Sequence, residues 1–379
     1  MHLALVRQRY NAYGGAERFI ERAMAALAGQ GVGVTLLARE WVGDPQGIIR
    51  CDPFYVGRVW RDWGFARAVC VELTRRSFDL VQSHERLACC DVYRAGDGVH
   101  AQWLDNRRGT LGTFARLGLA LNPYHRYVLA AERRLFASPR LRAVICNSSM
   151  VKKEIQARFG LAEAKLRVIY NGVDLEGFHP RLRDAHRAPA RAELGIPGDA
   201  LAWLFVGSGF ERKGVFRLLP AFARGADARA HLIVVGEDRA QARARALARE
   251  LGIGERTHFL GGRSDVRPWY GAADAFVLPT LYDPFPNAAL EAMACGLPVI
   301  VTVQCGAAEL VSEGANGMVC DALDEDALAS ALRRLGASGA RAMGACARET
   351  AERFGLDAMA QKLVALYRDL ARAPQGQRL

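Results

Sequence analysis

Short apolar runs rich in β-branched residues alternate with helical patterns along the whole chain. In the first half the runs fall at 3–6, 34–37, 79–82, 92–95, 143–146 and 167–170. In the second half they fall at 203–206, 232–235, 258–260, 275–278, 299–302 and 318–320. Several, such as Leu3-Ala4-Leu5-Val6 and Val144-Ile145-Cys146, are continuous rather than alternating, as expected of parallel strands covered on both faces. The segments between them read as helices. Over 16–28, for example, Phe19, Ile20, Ala23, Met24 and Leu27 form one stripe at helical spacing. Repeated β-α alternation predicts an α/β fold with a doubly wound parallel sheet, here twice over. The boundary belongs near 171–200. There the turn Asn171-Gly172-Val173-Asp174 follows a strand, and a polar, Arg- and Pro-containing stretch runs from 179 to 197.

A length of 379 residues suits two such domains, and 51% apolar with 24% charged residues is the balance of a soluble globular protein. The nine cysteines are odd in number and mostly sit inside apolar runs. They read as reduced, buried thiols of a cytosolic protein. Met1 runs directly into the first strand, which is too short for a secretory h-region, and no apolar stretch is long enough to span a bilayer. The Pro/Gly/Gln-rich tail after Ala373 is expected to be disordered. The formal charge of +11 is unevenly spread. Residues 1–180 carry 26 Lys+Arg against 17 Asp+Glu, and residues 181–379 carry 25 against 23. A basic first half implies an anionic partner, with solubility charge as the competing explanation.

Ligands of open α/β sheets bind beyond the carboxyl ends of the strands, so chemistry is sought after each strand. Gly14-Gly15 follows the first strand and opens a helix, where backbone amides can approach an anion. It lacks the G-x-G-x-x-G spacing of a dinucleotide enzyme. Gly207-Ser208-Gly209-Phe210-Glu211-Arg212-Lys213-Gly214 follows the first strand of the second half. It is no Walker A loop, but it sets two adjacent cations among glycines, suited to a departing diphosphate. Asp283-Pro284-Phe285-Pro286-Asn287-Ala288-Ala289-Leu290-Glu291 follows the 275–279 strand and runs into a helix. Its two carboxylates can accept from vicinal hydroxyls of sugar and ribose. His84 and His100 follow strands singly, and Trp60 and Trp63 read more readily as core than as pocket.

These segments, in this order, resemble retaining glycosyltransferase family 4. The resemblance rests on the Gly-Gly loop, Asn171-Gly172-Val173-Asp174, Arg212-Lys213-Gly214, Asp283 with Glu291, and Thr302, Gly306, Glu309 and Gly317. It covers essentially the whole chain. Within that family the chain looks most like the lipopolysaccharide core glucosyltransferases. Asp91 to Asp97, Tyr124 to Tyr127, Ala131-Glu132-Arg133, Phe210 to Gly214 and Gly262 to Val266 carry that likeness.

The resemblance implies a GT-B fold, with two Rossmann-like domains facing across a cleft. An acceptor domain over 1–173 would be joined by a C-terminal helix over about 356–379, and a donor domain would span 174–355. It implies that Gly14 and Gly15 approach the donor diphosphate and that Arg212 and Lys213 clamp it. Glu291 would hold the ribose and Asp283 the transferred sugar, with Phe285, Asn287 and Glu309 completing the donor site. Asp97 would face the reacting centre as an acceptor-orienting group, a charge stabiliser or a nucleophile. No cofactor or metal is implied. Two positions depart from the family: Asp283 stands where Glu is usual, and Pro286 where Gly is usual. Both fall where the sugar is read.

The implied reaction moves a hexose, glucose first, from a nucleoside-diphosphate sugar, UDP-linked first, to a lipid-linked glycan such as lipopolysaccharide core. N-acetylhexosamine, mannose or heptose donors and capsule or exopolysaccharide acceptors are alternatives. The segment 107–136 mixes Arg107, Arg108, Arg116 and Arg126 with Phe114, Leu117, Leu121, Tyr124 and Tyr127. Cations beside apolar groups suit an anionic membrane surface, at about 1 kcal/mol per basic residue. A peripheral enzyme on the cytosolic membrane face is therefore expected, a plain helical insertion being the competing reading. A sugar phosphorylase or nucleotide-sugar epimerase can share the fold. A basic nucleic-acid-binding protein would need aromatic-interleaved basic strands or a known binding fold, and the sequence has neither.

Overall fold

The computed structural model describes residues 1–9, 27–29, 31–40, 48–335 and 337–372, and the side chains of all of these except 337–339 and 341. Gly14, Gly15, most of the helix expected over 16–28, and the tail after Arg372 lie outside the described residues. The chain forms two compact units, Met1–Asn171 with Leu356–Leu379, and Gly172–Gly355.

The first unit holds a seven-stranded, all-parallel sheet of β1 (His2–Val6), β2 (Gly33–Ala38), β3 (Ile48–Arg50), β4 (Leu80–Ser83), β5 (Val92–Arg94), β6 (Ala143–Cys146) and β7 (Leu166–Val168), in the order β3-β2-β1-β4-β5-β6-β7. Alternate residues of its strands feed opposite cores. Ala4 and Val6 pack with Phe65, Val69 and Ile155 on one face. Leu3 and Leu5 pack on the other with Met359, Leu363, Val364 and Tyr367 of the C-terminal helix Leu356–Arg372. Each such side chain contributes roughly 1.5–3 kcal/mol when fully buried, so this helix is part of the first unit's core. Its Tyr367 hydroxyl donates to Gln82 Oε1 at 2.6 Å, satisfying the one polar atom the ring carries into the core.

The second unit holds a six-stranded parallel sheet of β8 (Ala202–Val206), β9 (His231–Val235), β10 (Thr257–Gly261), β11 (Ala275–Leu278), β12 (Val299–Thr302) and β13 (Gly317–Cys320), in the order β10-β9-β8-β11-β12-β13. At its amino edge the carboxylate of Asp274 accepts from Arg183 at 3.1 Å, Arg187 at 2.8 Å and Arg191 at 2.6 Å. Burial would raise this carboxyl, but the Ala202 N–H and the arginines hold it below the usual range. The cluster fastens the helix Leu182–Glu193 to the sheet.

Three expectations are corrected. The short strand β3 was not foreseen, and β7 begins one residue earlier and ends two residues earlier than the apolar run at 167–170. The cysteines are not all reduced: Cys70 and Cys89 are joined by a disulfide, with Cα atoms 5.9 Å apart. Among the seven free thiols, Cys346 alone is exposed.

Candidate active site

The second sheet reverses its strand order at β8. The chain steps outward to β9 and β10, then returns to place β11 on the other side of β8. The connections from β8 and β11 lead to opposite sides of the strand order, and the carboxyl ends at such a switch point are where ligands of open sheets bind. Arg212 and Lys213 leave β8, and Asp283 leaves β11. Lys213 Nζ lies 3.1 Å from Asp283 Oδ2, with side-chain exposures of 13% and 9%. Two segments far apart in sequence thus form one charge pair.

Backbone chemistry explains this approach. Gly207 has φ +156°, and a Cβ there would stand 2.6 Å from Lys213 Cδ, so the absent side chain is the room the lysine occupies. The N–H groups of Gly209 and Phe210 donate to Asp238 Oδ2 at 2.8 and 2.9 Å, which holds the loop from the β9 side. Gly214 has φ +82°, and a Cβ there would lie 1.9 Å from the Pro279 carbonyl oxygen. The Arg212 carbonyl accepts from Leu281 N–H at 2.8 Å and from the Thr280 hydroxyl at 3.0 Å. Backbone contacts stitch the two loops together. The half-buried Arg212 guanidinium has no carboxylate partner among the described residues.

Asp283 is framed in turn by the loop after β12. Its N–H donates to Gln304 O at 3.1 Å and its carbonyl accepts from Gly306 N–H at 2.8 Å. The short helical turn Gly306–Leu310 that follows carries Glu309, which is exposed. The helix Asn287–Ala294 begins directly after Pro286, with Asn287 half-buried at its start and Phe285 buried. It turns Ala289, Leu290, Ala292 and Met293 inward. Glu291 is held from the side by Tyr270, whose hydroxyl donates to Glu291 Oε2 at 2.9 Å and to Ala288 O at 3.1 Å. Sequence reasoning missed Tyr270. It reads as a core aromatic, and the one available hint is that a buried phenol needs a polar partner. A cavity of about 830 Å³ lies at the opposite, amino edge of this sheet, among the arginines that Asp274 pairs. It adjoins none of the loops just described except through Tyr270, and those arginines have a structural reason to be there.

In the first unit Asp97 follows β5 and is exposed. Beside it lies a buried polar cluster. Glu132, 1% exposed, accepts from Arg86 Nε at 3.0 Å and from the His100 N–H at 2.7 Å, both on Oε1. His100 Nε2 lies 3.0 Å from His125 Nδ1. Burial first, then the Arg86 and His125 charges, push the His100 imidazole down to about 3, against an opposing pull from Asp97. His100 is therefore not isolated, as its sequence context suggests, but joins the carboxyl-edge cluster. His84 hydrogen-bonds with Gln82 at 3.2 Å, and burial holds it well below its ordinary value.

These histidines carry a pH prediction. Burial also lowers His125 and His231 and brings His258 to about 4. Each has a folded pKa below its unfolded one. Between about pH 6.5 and these lower values the unfolded chain binds protons the folded chain refuses, so stability rises with pH there. Melting temperature should fall steadily from pH 7.5 to pH 4.5; a flat profile over that window would contradict the burial of these rings.

The segment 107–136 resolves into the end of the helix His100–Arg108, the helix Thr113–Leu121 and the helix Pro123–Phe136. Phe114, Leu117 and Leu121 are 91%, 59% and 62% exposed and share one stripe, while Leu119 is buried. Arg108, Arg116 and Arg126 are exposed around them, and Arg107 is half-buried. Tyr124 lies under the Arg58 guanidinium at 4.7 Å. No helix among the described residues is long and apolar enough to cross a membrane.

Comparison with known proteins agrees with this architecture. The profile "Glycosyltransferase Family 4" matches residues 13–176, and "Glycosyl transferases group 1" matches residues 186–353. The chain is 26% identical over 341 residues to the lipopolysaccharide glucosyltransferase WaaG of Escherichia coli (strain K12), covering 88% of this chain and 89% of that protein. It is 33% identical over 257 residues to a D-inositol 3-phosphate glycosyltransferase of Kribbella flavida, covering 64% of this chain and 59% of that one. The crystal structure of WaaG superposes with a TM-score of 0.83 at 25% identity, covering 96% of this chain and 99% of that one. A structure of Anabaena HepE with UDP and glucose shares the fold, with a TM-score of 0.73 at 20% identity over 97% of this chain and all of that one. Two parallel α/β units, each matched by its own glycosyltransferase profile and together following the WaaG structure over nearly the whole chain, make this protein a member of the family 4 glycosyltransferases with the GT-B fold.

Proposed function

We propose that the chain transfers a hexose, glucose first, from a UDP-sugar to a lipid-linked glycan of the lipopolysaccharide core type, with retention of anomeric configuration. The observation that carries this is the Lys213–Asp283 pair at the switch point of the second sheet. A diphosphate needs a cation there, and the sugar next to it needs a hydroxyl acceptor. The pair supplies both about 3.1 Å apart. Glu291, oriented by Tyr270, is the ribose acceptor in this reading. Likeness to WaaG, a lipopolysaccharide glucosyltransferase by name, supports the donor and acceptor classes. HepE structures holding UDP and UDP-glucose support the nucleotide.

In the step itself, the anomeric C–O bond to the leaving phosphate breaks as the acceptor oxygen bonds to the same face of the sugar. The acceptor proton passes to the departing phosphate oxygen. Charge grows on that phosphate, and in this reading Arg212 and Lys213 are the cations that meet it. Asp97 acts from the acceptor side as an orienting or charge-stabilising group. The short arm of Asp283 and the missing N–H of Pro286 favour a second donor reading, N-acetylhexosamine, mannose or heptose, since both alter contacts at the sugar. Incubation with UDP-glucose and deacylated lipopolysaccharide core tests the reaction class. An α-linked product by NMR fits retention from an α-linked donor, and a β-linked product overturns it.

We further propose peripheral attachment to the cytosolic face of the membrane through the Thr113–Leu121 helix. Its outward stripe of Phe114, Leu117 and Leu121 amid arginines has the composition of an interfacial helix. Flotation with anionic vesicles should exceed flotation with neutral ones, and Phe114→Ser/Leu121→Ser should lower the affinity about a hundredfold or more, since two side chains at ~1.5–3 kcal/mol each are withdrawn from lipid. Equal binding to both vesicle types would rule the attachment out.

A further inference from the structure

The sequence favours core packing for Trp60 and Trp63 over a place in an acceptor pocket; in the structure each is 45% exposed. Both lie on the helix Gly57–Arg75, and with Arg67 and Val71 they occupy one outward stripe at helical spacing. This stripe and the segment after β3 enclose a cavity of about 470 Å³. Phe54, 77% exposed, meets Trp60 edge-on at 5.8 Å, and the Arg67 guanidinium lies 5.7 Å from the Trp63 ring centre. Asp52 and Glu72 stand at its sides, paired with Arg50 at 3.3 Å and Arg75 at 2.9 Å.

The groove is built rather than incidental. Arg39, 1% exposed, reaches from the end of β2 to Asp52 Oδ1 at 2.7 Å, Pro53 O at 3.1 Å and Arg61 O at 3.1 Å. One buried guanidinium thereby fixes both walls. Gly64 forms the floor, where a Cβ would already touch Pro53 Cγ at 3.4 Å. Gln8, just past the carboxyl end of β1, donates to Asp62 at 3.2 Å. The tryptophans therefore stand at the carboxyl edge of the first sheet, the edge that carries Asp97.

We propose that this groove binds the glycan part of the acceptor, holding sugar units beyond the one that is glycosylated. The inference rests on the acceptor class proposed above. Half-exposed indole faces are negative and pack against the C–H face of a sugar ring. The Asp52–Arg50 and Glu72–Arg75 pairs offer acceptors and donors to its hydroxyls. The surplus of arginine over carboxylate around the groove suits a glycan bearing phosphate or carboxylate groups. A lipid surface fits less well. Asp52 and Glu72 would face an anionic bilayer, and the rings line a hollow instead of projecting as Phe114 does.

Calorimetric titration of the full chain with deacylated lipopolysaccharide-core oligosaccharide, which has no lipid, tests the groove. The wild type should bind, Trp60→Ala/Trp63→Ala should weaken binding about tenfold as for a lost aromatic anchor, and Trp60→Phe should keep most of it. In transfer assays the double variant should raise the acceptor KM with kcat and the donor KM unchanged. Glycan binding unaltered in the double variant, while the wild type still transfers to the core acceptor, overturns the groove and leaves the function standing. A wild type that turns over a nucleotide sugar but neither binds nor glycosylates the core glycan overturns the acceptor class and the groove with it. Loss of anionic-vesicle flotation with normal glycan binding identifies a lipid surface and also overturns the proposal.

Discussion

Lys213→Ala is expected to lower kcat by about 10²–10³, the usual cost of removing one preorganised group that meets charge developing in the transition state. The reason is geometric. Lys213 is folded back along Gly207 to where the β8 and β11 loops meet, and it ends 3.1 Å from Asp283. An ammonium held there meets negative charge without reorganising. The loss should fall on kcat more than on donor KM, because the charge on the phosphate grows as the bond breaks. Removing the lysine leaves the Asp283 carboxylate unpaired, which costs stability, but the site opens to water and the chain should remain folded. Lys213→Arg should recover only part of the activity. It keeps the charge, yet its bulkier head must pass the same narrow space over Gly207. Near-normal turnover of Lys213→Ala would sink the assignment.

Gly214→Ala should be severely destabilising. The residue sits at φ +82°, where a side chain costs ~1–2 kcal/mol of backbone strain. The new Cβ would also fall 1.9 Å from a main-chain carbonyl oxygen, that of Pro279, which cannot swing aside as a flexible side chain can. A total loss of about 3 kcal/mol or more is expected, and at ~2–4 °C per kcal/mol this lowers the melting temperature by roughly 6–12 °C. Because Gly214 and Pro279 anchor the two loops that meet at Lys213 and Asp283, nucleotide binding should weaken in whatever protein folds. Calorimetry reads both. A melting temperature within about 2 °C of wild type would show that the loops do not meet as closely as described.

The parallel strands were legible because strands buried on both faces are continuous apolar runs, and the glycine-bracketed cations after β8 stood out at a strand end. Their pairing was not legible. That Lys213 meets Asp283 follows from β8 and β11 being neighbours, a consequence of strand order that no local pattern encodes. Tyr270 was hidden for the same reason, since its hydroxyl finds Glu291 only once the helix Asn287–Ala294 is in place. Strand β3, Ile48-Ile49-Arg50, is too short to show a period. Cys70 and Cys89 lie in different segments, so cysteine spacing alone could not pair them. Trp60 and Trp63 were misjudged because aromatic residues at helical spacing ordinarily face a core. Here that stripe faces the groove, and Phe65 and Val69 of the same helix face the core instead.

The most direct test of the central claim is release of nucleoside diphosphate, followed by mass spectrometry, across a set of nucleotide sugars with deacylated lipopolysaccharide core present or absent. The account predicts release of UDP from a UDP-hexose, stimulated by the core glycan and lost in Lys213→Ala. No acceptor-stimulated release from any nucleotide sugar by the folded protein would contradict it.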